Sequence, residues 1–146
     1  NVAKSAKARI NDISVVAKLV LLAGEYMQTD YYGRYYAKAQ NIRGQINKSY
    51  DSLLREVDVL VMPTTPITAT KIPDNDSPVE ERVGLALNMI HNTAAFDLTG
   101  HPAISVPCGM SDGLPVGFQI VGKHFDDLTV IQVADAIEKS ANWKNV

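Results

Sequence analysis

Apolar positions in the first third of the chain recur at the three- and four-residue spacing of α-helices. Ile13, Val16, Ala17, Val20 and Leu21 share one helix face. This spacing predicts a helix over 14–28, for which Ser14 is suited as the N-terminal cap because its hydroxyl can accept a free backbone N–H. A break is expected at 30–33.

A longer apolar stripe predicts a second helix over 34–56. Its members are Tyr35, Ala39, Ile42, Ile46, Tyr50, Leu53 and Val57. They step by three or four residues, so they lie along one side of a helix. We expect Tyr35, Ile42, Ile46 and Leu53 to pack against a sheet.

Continuous apolar residues then indicate β-strands. The run over 57–63 is typical of a strand with both faces buried. Two further runs predict strands over 103–107 and 115–122, which we expect to be antiparallel neighbours in the same sheet.

The residues between these last two strands predict an irregular loop. Asp112-Gly113 favours a turn, because glycine adopts positive φ without a Cβ clash. Pro107 and Pro115 have no N–H to donate, so each is expected at a strand end or an edge.

Two more helices complete the pattern. Ser77-Pro78-Val79-Glu80 resembles a capping box followed by a face of Val83, Leu87 and Ile90. Asp126 or Asp127 is expected to cap a last helix that continues through Ala141. Residues 91–102 are less regular.

The order of these elements predicts the α/β class, with helices flanking a mixed sheet. A strand that is buried on both faces needs neighbours on both sides, and the chain supplies about three strands. We therefore expect residues outside this chain to complete the sheet.

Composition narrows the function only by exclusion. The 146 residues are enough for one domain, and the net charge of −2 does not favour nucleic acid or an anionic membrane. The single cysteine excludes an internal disulfide framework and is typical of the reducing cytoplasm. No apolar run is long enough to span a bilayer.

No catalytic or metal-binding motif is evident. A triad of Ser105, a histidine and Asp97 can be drawn, but capping and turn roles explain these residues more simply. Cys108 is expected to be a small buried or half-buried thiol. The three histidines are isolated and no ligand cluster has metal-site spacing, so the sequence predicts neither a metal nor a cofactor.

Four motifs carry a family resemblance. In order they are YYGRYYAKAQNIR, DVLVMPTTP, NTAAFDLTGHPAISVPCG and GLPVGFQIVGKHFDD. Together they resemble the C-terminal portion of amidase signature family enzymes, from about Ile13 to Trp143. NTAAFDLTGHPA is most similar to the broad-substrate amidases associated with nitrile metabolism. The resemblance implies that residues 1–146 are a single C-terminal segment of a larger amidase domain and part of its mixed central sheet.

The resemblance also implies a reaction. Family members hydrolyse carboxamides to carboxylic acid and ammonia through an acyl-enzyme, using a serine that a lysine activates through a bridging cis-serine. Those residues belong upstream of the matched region, so no catalytic residue is assigned here. The implied partners are a small-molecule amide, the remainder of the amidase chain and, because family members are commonly dimers, a second copy.

Ile90 and Asn92 are the predicted substrate-binding residues. The apolar face ends at Ile90, and the polar pair His91-Asn92 separates it from the small residues 93–95. Space lined by a few polar groups suits a ligand, and the resemblance places this stretch at the acyl pocket. The alternative is that Ile90 packs in the core.

Two other functions stay open at this point. One is that of a tRNA-dependent amidotransferase, in whose A-type subunits an acidic residue of this region recognises the substrate's amino group. The corresponding residues 88–92 contain no acid, which counts against it. The other is a non-catalytic module that binds a partner through its open sheet.

Overall fold

The computed structural model describes residues 9–74 and 76–140. Five helices and three strands follow a 3₁₀ turn at Ile10–Asp12. In chain order they are α1 (Val15–Asp30), α2 (Arg34–Glu56), β1 (Leu60–Pro63), α3 (Val79–Asn88), α4 (Ala94–Thr99), β2 (Ala103–Ser111), β3 (Leu114–Val121) and α5 (Asp127–Ser140). None of the described helices has both the length and the apolar character needed to cross a membrane.

The first helix begins where the sequence predicts. Ser14 caps α1, because its Oγ accepts a hydrogen bond from the Ala17 N–H at 3.2 Å. The predicted inward face is only partly covered, since Val16 and Ala17 are half-buried while Val20 and Leu21 are exposed. The break before α2 contains two left-handed residues, Tyr32 and Gly33.

The long helix α2 is confirmed, but its predicted stripe is wrong over much of its length. Ile42 is 42% exposed and Leu53 is 52% exposed, whereas the neighbouring Leu54 is 1% exposed. The helix packs on α4 rather than on the sheet, and the rings of Tyr50 and Phe96 lie 5.1 Å apart. Periodicity places residues on a common face, but the packing partner decides which face is buried.

The three strands form one antiparallel sheet in the order β1-β3-β2. Leu60 pairs with Val121, and Ala103 pairs with the same residue from the other side. The first strand is shorter than the predicted 57–63, and it lies at the edge of this sheet with Val61 exposed. Burial on both faces is therefore not achieved within the described residues, because β1 has a neighbour on one side only.

The hairpin is more regular than predicted. β2 and β3 continue to a two-residue turn, Asp112-Gly113, in which both residues have positive φ. The expected irregular loop is replaced by paired strands with one bulge between Pro107 and Gly109. The bulge lets an edge strand hold a proline that cannot donate a ladder hydrogen bond.

Helix α5 covers one face of this sheet. Its cap is Asp126, whose Oδ1 accepts hydrogen bonds from the Thr129 hydroxyl at 2.8 Å and the Thr129 N–H at 3.4 Å. The core between helix and sheet contains Val106, Ile120, Val130 and Ala134. The predicted helix end at Ala141 lies outside the described residues. Helices on a sheet confirm the α/β class.

The segment between β1 and the hairpin differs from its prediction in two places. Helix α3 begins at Val79, with Pro78 at its N-cap and no side-chain cap, so the predicted capping box at Ser77 is not formed. The less regular stretch contains α4, which ends at Gly100 in the left-handed conformation. These two short helices bring residues 88–93 to the edge of the sheet.

Candidate functional site

A cavity of about 340 Å³ lies where the strands meet α4. Polar side chains face this cavity from the end of β1, from β2 and from β3. One side of α4 faces it as well. It is lined by Thr64, Thr93, Phe96, Asp97, His101, Ala103, Ile104, Ser105 and Gln119. A concave site with a few polar groups on a sheet is a suitable place for a small ligand.

At this cavity, two hydroxyl groups from the outer strands of the sheet form a hydrogen bond above the central strand. Thr64 Oγ1 and Ser105 Oγ form a hydrogen bond of 2.5 Å, and the Thr64 N–H donates to the Gly117 carbonyl at 2.8 Å. A Cβ on Gly117 would lie 2.8 Å from both hydroxyl oxygens. The absence of a side chain at Gly117 therefore makes room for the hydroxyl pair over the central strand.

Asn92 does not itself line this cavity, but it is hydrogen-bonded to Gln119, which does. Its side-chain amide donates a hydrogen bond to the Pro63 carbonyl at 2.8 Å, and its own carbonyl accepts one from Gln119 Nε2 at 3.1 Å. Gln119 is buried and lines the cavity. Asn92 thus connects the segment before α4 to the ends of β1 and β3.

Ile90 lies apart from this cavity. Ile90 is 45% exposed among the described residues and is not one of the residues that line the cavity. Its carbonyl accepts hydrogen bonds from the N–H groups of Thr93 at 3.1 Å and Ala94 at 2.9 Å. The backbone of Ile90 therefore starts α4, while its side chain stays available to a further surface.

The serine triad that the sequence allows is not assembled around His101. The imidazole Nδ1 lies 2.9 Å from Thr99 Oγ1, and Nε2 lies 3.3 Å from Asp51 Oδ1. Both ring nitrogens are therefore engaged away from Ser105, whose hydroxyl bonds Thr64 instead. Catalysis by such a triad requires the base to bond the nucleophile.

His101 belongs to a second cluster that sequence reasoning missed. Asp51, His101 and His124 place one ligand atom each within 4.8 Å of one another. The two imidazoles are stacked with their centroids 4.0 Å apart. Burial lowers the pKa of His101 and the neighbouring His124 lowers it further, while Asp51 acts in the opposite direction. No sequence spacing signals this group, since its members come from three separate parts of the chain.

Cys108 has the half-buried position expected of it. Its Sγ lies 3.6 Å from the Val116 carbonyl, across the hairpin at the bulge. The thiol faces no base among these contacts, so a structural role explains it.

Comparison with known proteins supports one family. The family model described as Amidase matches residues 4–131. An enantioselective amidase of Rhodococcus rhodochrous is 47% identical over 125 residues, which are 85% of this chain and 24% of that protein. An uncharacterized protein in the nthA 5′ region of Rhodococcus erythropolis is 47% identical over 127 residues, which are 87% of this chain and 64% of that protein.

A solved structure extends the comparison to three dimensions. The A-type subunit of the glutamyl-tRNA(Gln) amidotransferase from Thermotoga maritima matches 96% of this chain and 30% of its own, with a TM-score of 0.64 and 30% identity. The chain therefore spans between about a quarter and two thirds of the length of the relatives named here.

Proposed function

Because this chain belongs to the amidase family, we propose that it is part of an amidase that hydrolyses carboxamides to carboxylic acids and ammonia. The observation that carries the proposal is the 47% identity to an enantioselective amidase across 85% of the chain. The proposed substrate is a small-molecule amide, and the proposed partners are the rest of the protein and a second copy of it.

The proposed mechanism is an acyl-enzyme route whose catalytic groups lie outside this chain. A serine attacks the amide carbonyl, a lysine takes its proton through a bridging cis-serine, and backbone N–H groups stabilise the oxyanion. The lysine returns this proton to the leaving nitrogen, which departs as ammonia, and water then hydrolyses the acyl-enzyme to release the acid. Ser105 and His101 do not form a nucleophile–base pair, since Ser105 bonds Thr64 and His101 bonds Thr99 and Asp51.

The proposed contribution of this chain is one wall of the acyl pocket. Asn92 holds the pocket edge to the sheet through Pro63 and Gln119. Ile90 presents an exposed apolar side chain two residues earlier, and an acyl group of the substrate would cover part of it. The hydroxyl groups of Thr64 and Ser105 add a polar floor to the neighbouring cavity.

Activity of the chain alone and of the full-length protein tests the proposal. Benzamide and acetamide are offered to both, and ammonia release is measured. We expect turnover by the full-length protein and none by the 146-residue chain, because the proposed nucleophile and base are elsewhere. The proposal would be wrong if the purified 146-residue chain hydrolysed these amides and if Ser105→Ala or Cys108→Ala abolished that activity.

A second candidate is part of a tRNA-dependent amidotransferase. It is favoured by the match of 96% of this chain to the Thermotoga maritima protein. It is disfavoured by residues 88–92, which offer no carboxylate to an amino group of a substrate. Ammonia release from glutamine by the full-length protein, without turnover of benzamide, would select this candidate over the amidase.

A non-catalytic module is the third candidate. The exposed edge of β1 is the surface through which such a module would bind a partner strand. A full-length protein that turns over neither amides nor glutamine, and that elutes in a complex on size exclusion, would support it.

A further inference from the structure

We propose that Asp51, His101 and His124 form a binding site for one divalent transition-metal ion of the Zn²⁺ type. The site would tie α2 to the beginning of β2 and to the loop after β3. His101 also lines the cavity beside the proposed acyl pocket. The metal site does not depend on the proposed amidase reaction.

The positions of the ligand atoms are close to those that a zinc ion requires. Asp51 Oδ1 lies 3.3 Å from His101 Nε2 and 3.9 Å from His124 Nε2. Ligand atoms about 2.1 Å from a tetrahedral zinc ion lie about 3.4 Å from one another. The first distance is close to this value. The ligand atom of the partly exposed His124 lies within 4.8 Å of the other two, and a movement of its side chain toward them would bring all three to this spacing.

The surroundings of His101 prepare it to be a ligand. Its Nδ1 is hydrogen-bonded to the Thr99 hydroxyl at 2.9 Å, and its side chain is fully buried. A metal-bound imidazole normally has its second nitrogen held in this way, which orients the ring toward the ion.

The donor set selects the class of ion. Two imidazole nitrogens and one carboxylate suit Zn²⁺ and similar transition metals, whereas Mg²⁺ and Ca²⁺ prefer sites made of oxygen. His124 is 31% exposed and Asp51 is 46% exposed, so an ion can reach the cluster from solvent. Three protein ligands leave a fourth position to water.

The place of the cluster in the fold suggests what the ion does. Asp51 lies on the helix that carries the buried Leu54, and His101 comes two residues before β2. Asp51 and His101 are 50 residues apart in sequence. An ion bound to all three side chains would fix α2 against the hairpin and stabilise the folded chain by mass action.

Zinc titration of the full-length, untagged protein tests the site. The protein is stripped with a chelator, and Zn²⁺ affinity is measured by competition with a chromophoric chelator. His124→Ala removes one ligand, and Asp51→Asn replaces the carboxylate with a neutral, weaker amide ligand of the same shape. His91→Ala is the matched control, because His91 is exposed and bonds the Asn88 carbonyl.

We expect the wild type and His91→Ala to bind one zinc ion with the same affinity. His124→Ala and Asp51→Asn should bind it at least about tenfold more weakly. Zinc should also raise the melting temperature of the wild type and of His91→Ala, but not that of His124→Ala. If the wild type shows no saturable binding, or if all four proteins bind zinc equally, the cluster is only a hydrogen-bonded His–Asp group and the proposal is wrong.

Discussion

The hydroxyl groups of Thr64 and Ser105 meet across the central strand of the sheet, directly over Gly117. Thr64 follows β1 and Ser105 belongs to β2, so these two residues come from the two outer strands. Their hydrogen bond crosses β3 on the face that lines the cavity. The side-chain-free position between them is therefore a requirement of the site.

Gly117→Ala should destabilise the protein by about 1–3 kcal/mol, the usual cost of forcing extra volume into a packed position. The new Cβ would lie 2.8 Å from both hydroxyl oxygens and 3.2 Å from Thr64 Cβ. Urea denaturation measures the change. Ser105→Ala should cost less in the Gly117→Ala background than in the wild type, since the hydrogen bond is already disturbed there.

Gly44→Ala is the control for that substitution. Gly44 lies inside α2, and a Cβ added there would meet no atom of a neighbouring element within 4 Å. Alanine is favoured over glycine in a helix by about 1 kcal/mol, so this variant should be as stable as the wild type or more so. A Gly117→Ala variant that behaves in the same way would contradict the close approach over β3.

Leu54→Ala should cost about 2–5 kcal/mol of stability, whereas Leu53→Ala should cost less than about 1 kcal/mol. Leu54 is 1% exposed, and its neighbour Leu53 is 52% exposed. The free energy of unfolding of the two variants is compared by denaturation. Equal losses would mean that another part of the complete protein covers Leu53.

Asp126→Ala should destabilise the protein by about 1 kcal/mol, the typical value of a helix cap. Its carboxylate accepts two hydrogen bonds from Thr129 at the start of α5. Asp127→Ala removes only a favourable charge near the helix N-terminus and should cost about 0.3–1 kcal/mol. Thermal denaturation in low and high salt separates them, because salt screens the charge effect of both residues but leaves the Asp126 hydrogen bonds in place.

Ile90→Ala should change the preference of the full-length protein between benzamide and acetamide by about 1–3 kcal/mol in kcat/KM, with a smaller change for Ile90→Val. This follows from the proposal that Ile90 contacts the acyl group. Leu87→Ala is the control, because Leu87 is also exposed and lies one turn earlier at the end of α3. An unchanged substrate ratio in Ile90→Ala, or an equal change in Leu87→Ala, would remove Ile90 from the pocket.

The sequence by itself determined the local elements and the family. Ser14 as a cap, the extent of α2 and the two hairpin strands all follow from the spacing of apolar residues and from turn chemistry. These features depend on neighbours within a few residues, which a sequence displays directly. The family follows from four motifs in order, and the match over residues 4–131 confirms it.

Where two adjacent residues are of the same type, the tertiary structure decided which of them caps a helix or is buried. Both Asp126 and Asp127 are good caps by residue type, and the contact with Thr129 selects Asp126. The apolar stripe of α2 predicts burial of Leu53, but the structure buries the adjacent Leu54 instead. The residue type is the same within each pair, so only the tertiary surroundings distinguish its members.

The long-range groups were decided by the tertiary structure alone. Thr64 and Ser105 are 41 residues apart, and Asp51 and His101 are 50 apart. Whether such residues meet depends on strand order and on the position of α2, and neither leaves a periodic trace in the chain. The hydroxyl pair over Gly117 and the Asp51–His101–His124 cluster exist because packed elements bring together side chains that the sequence keeps far apart.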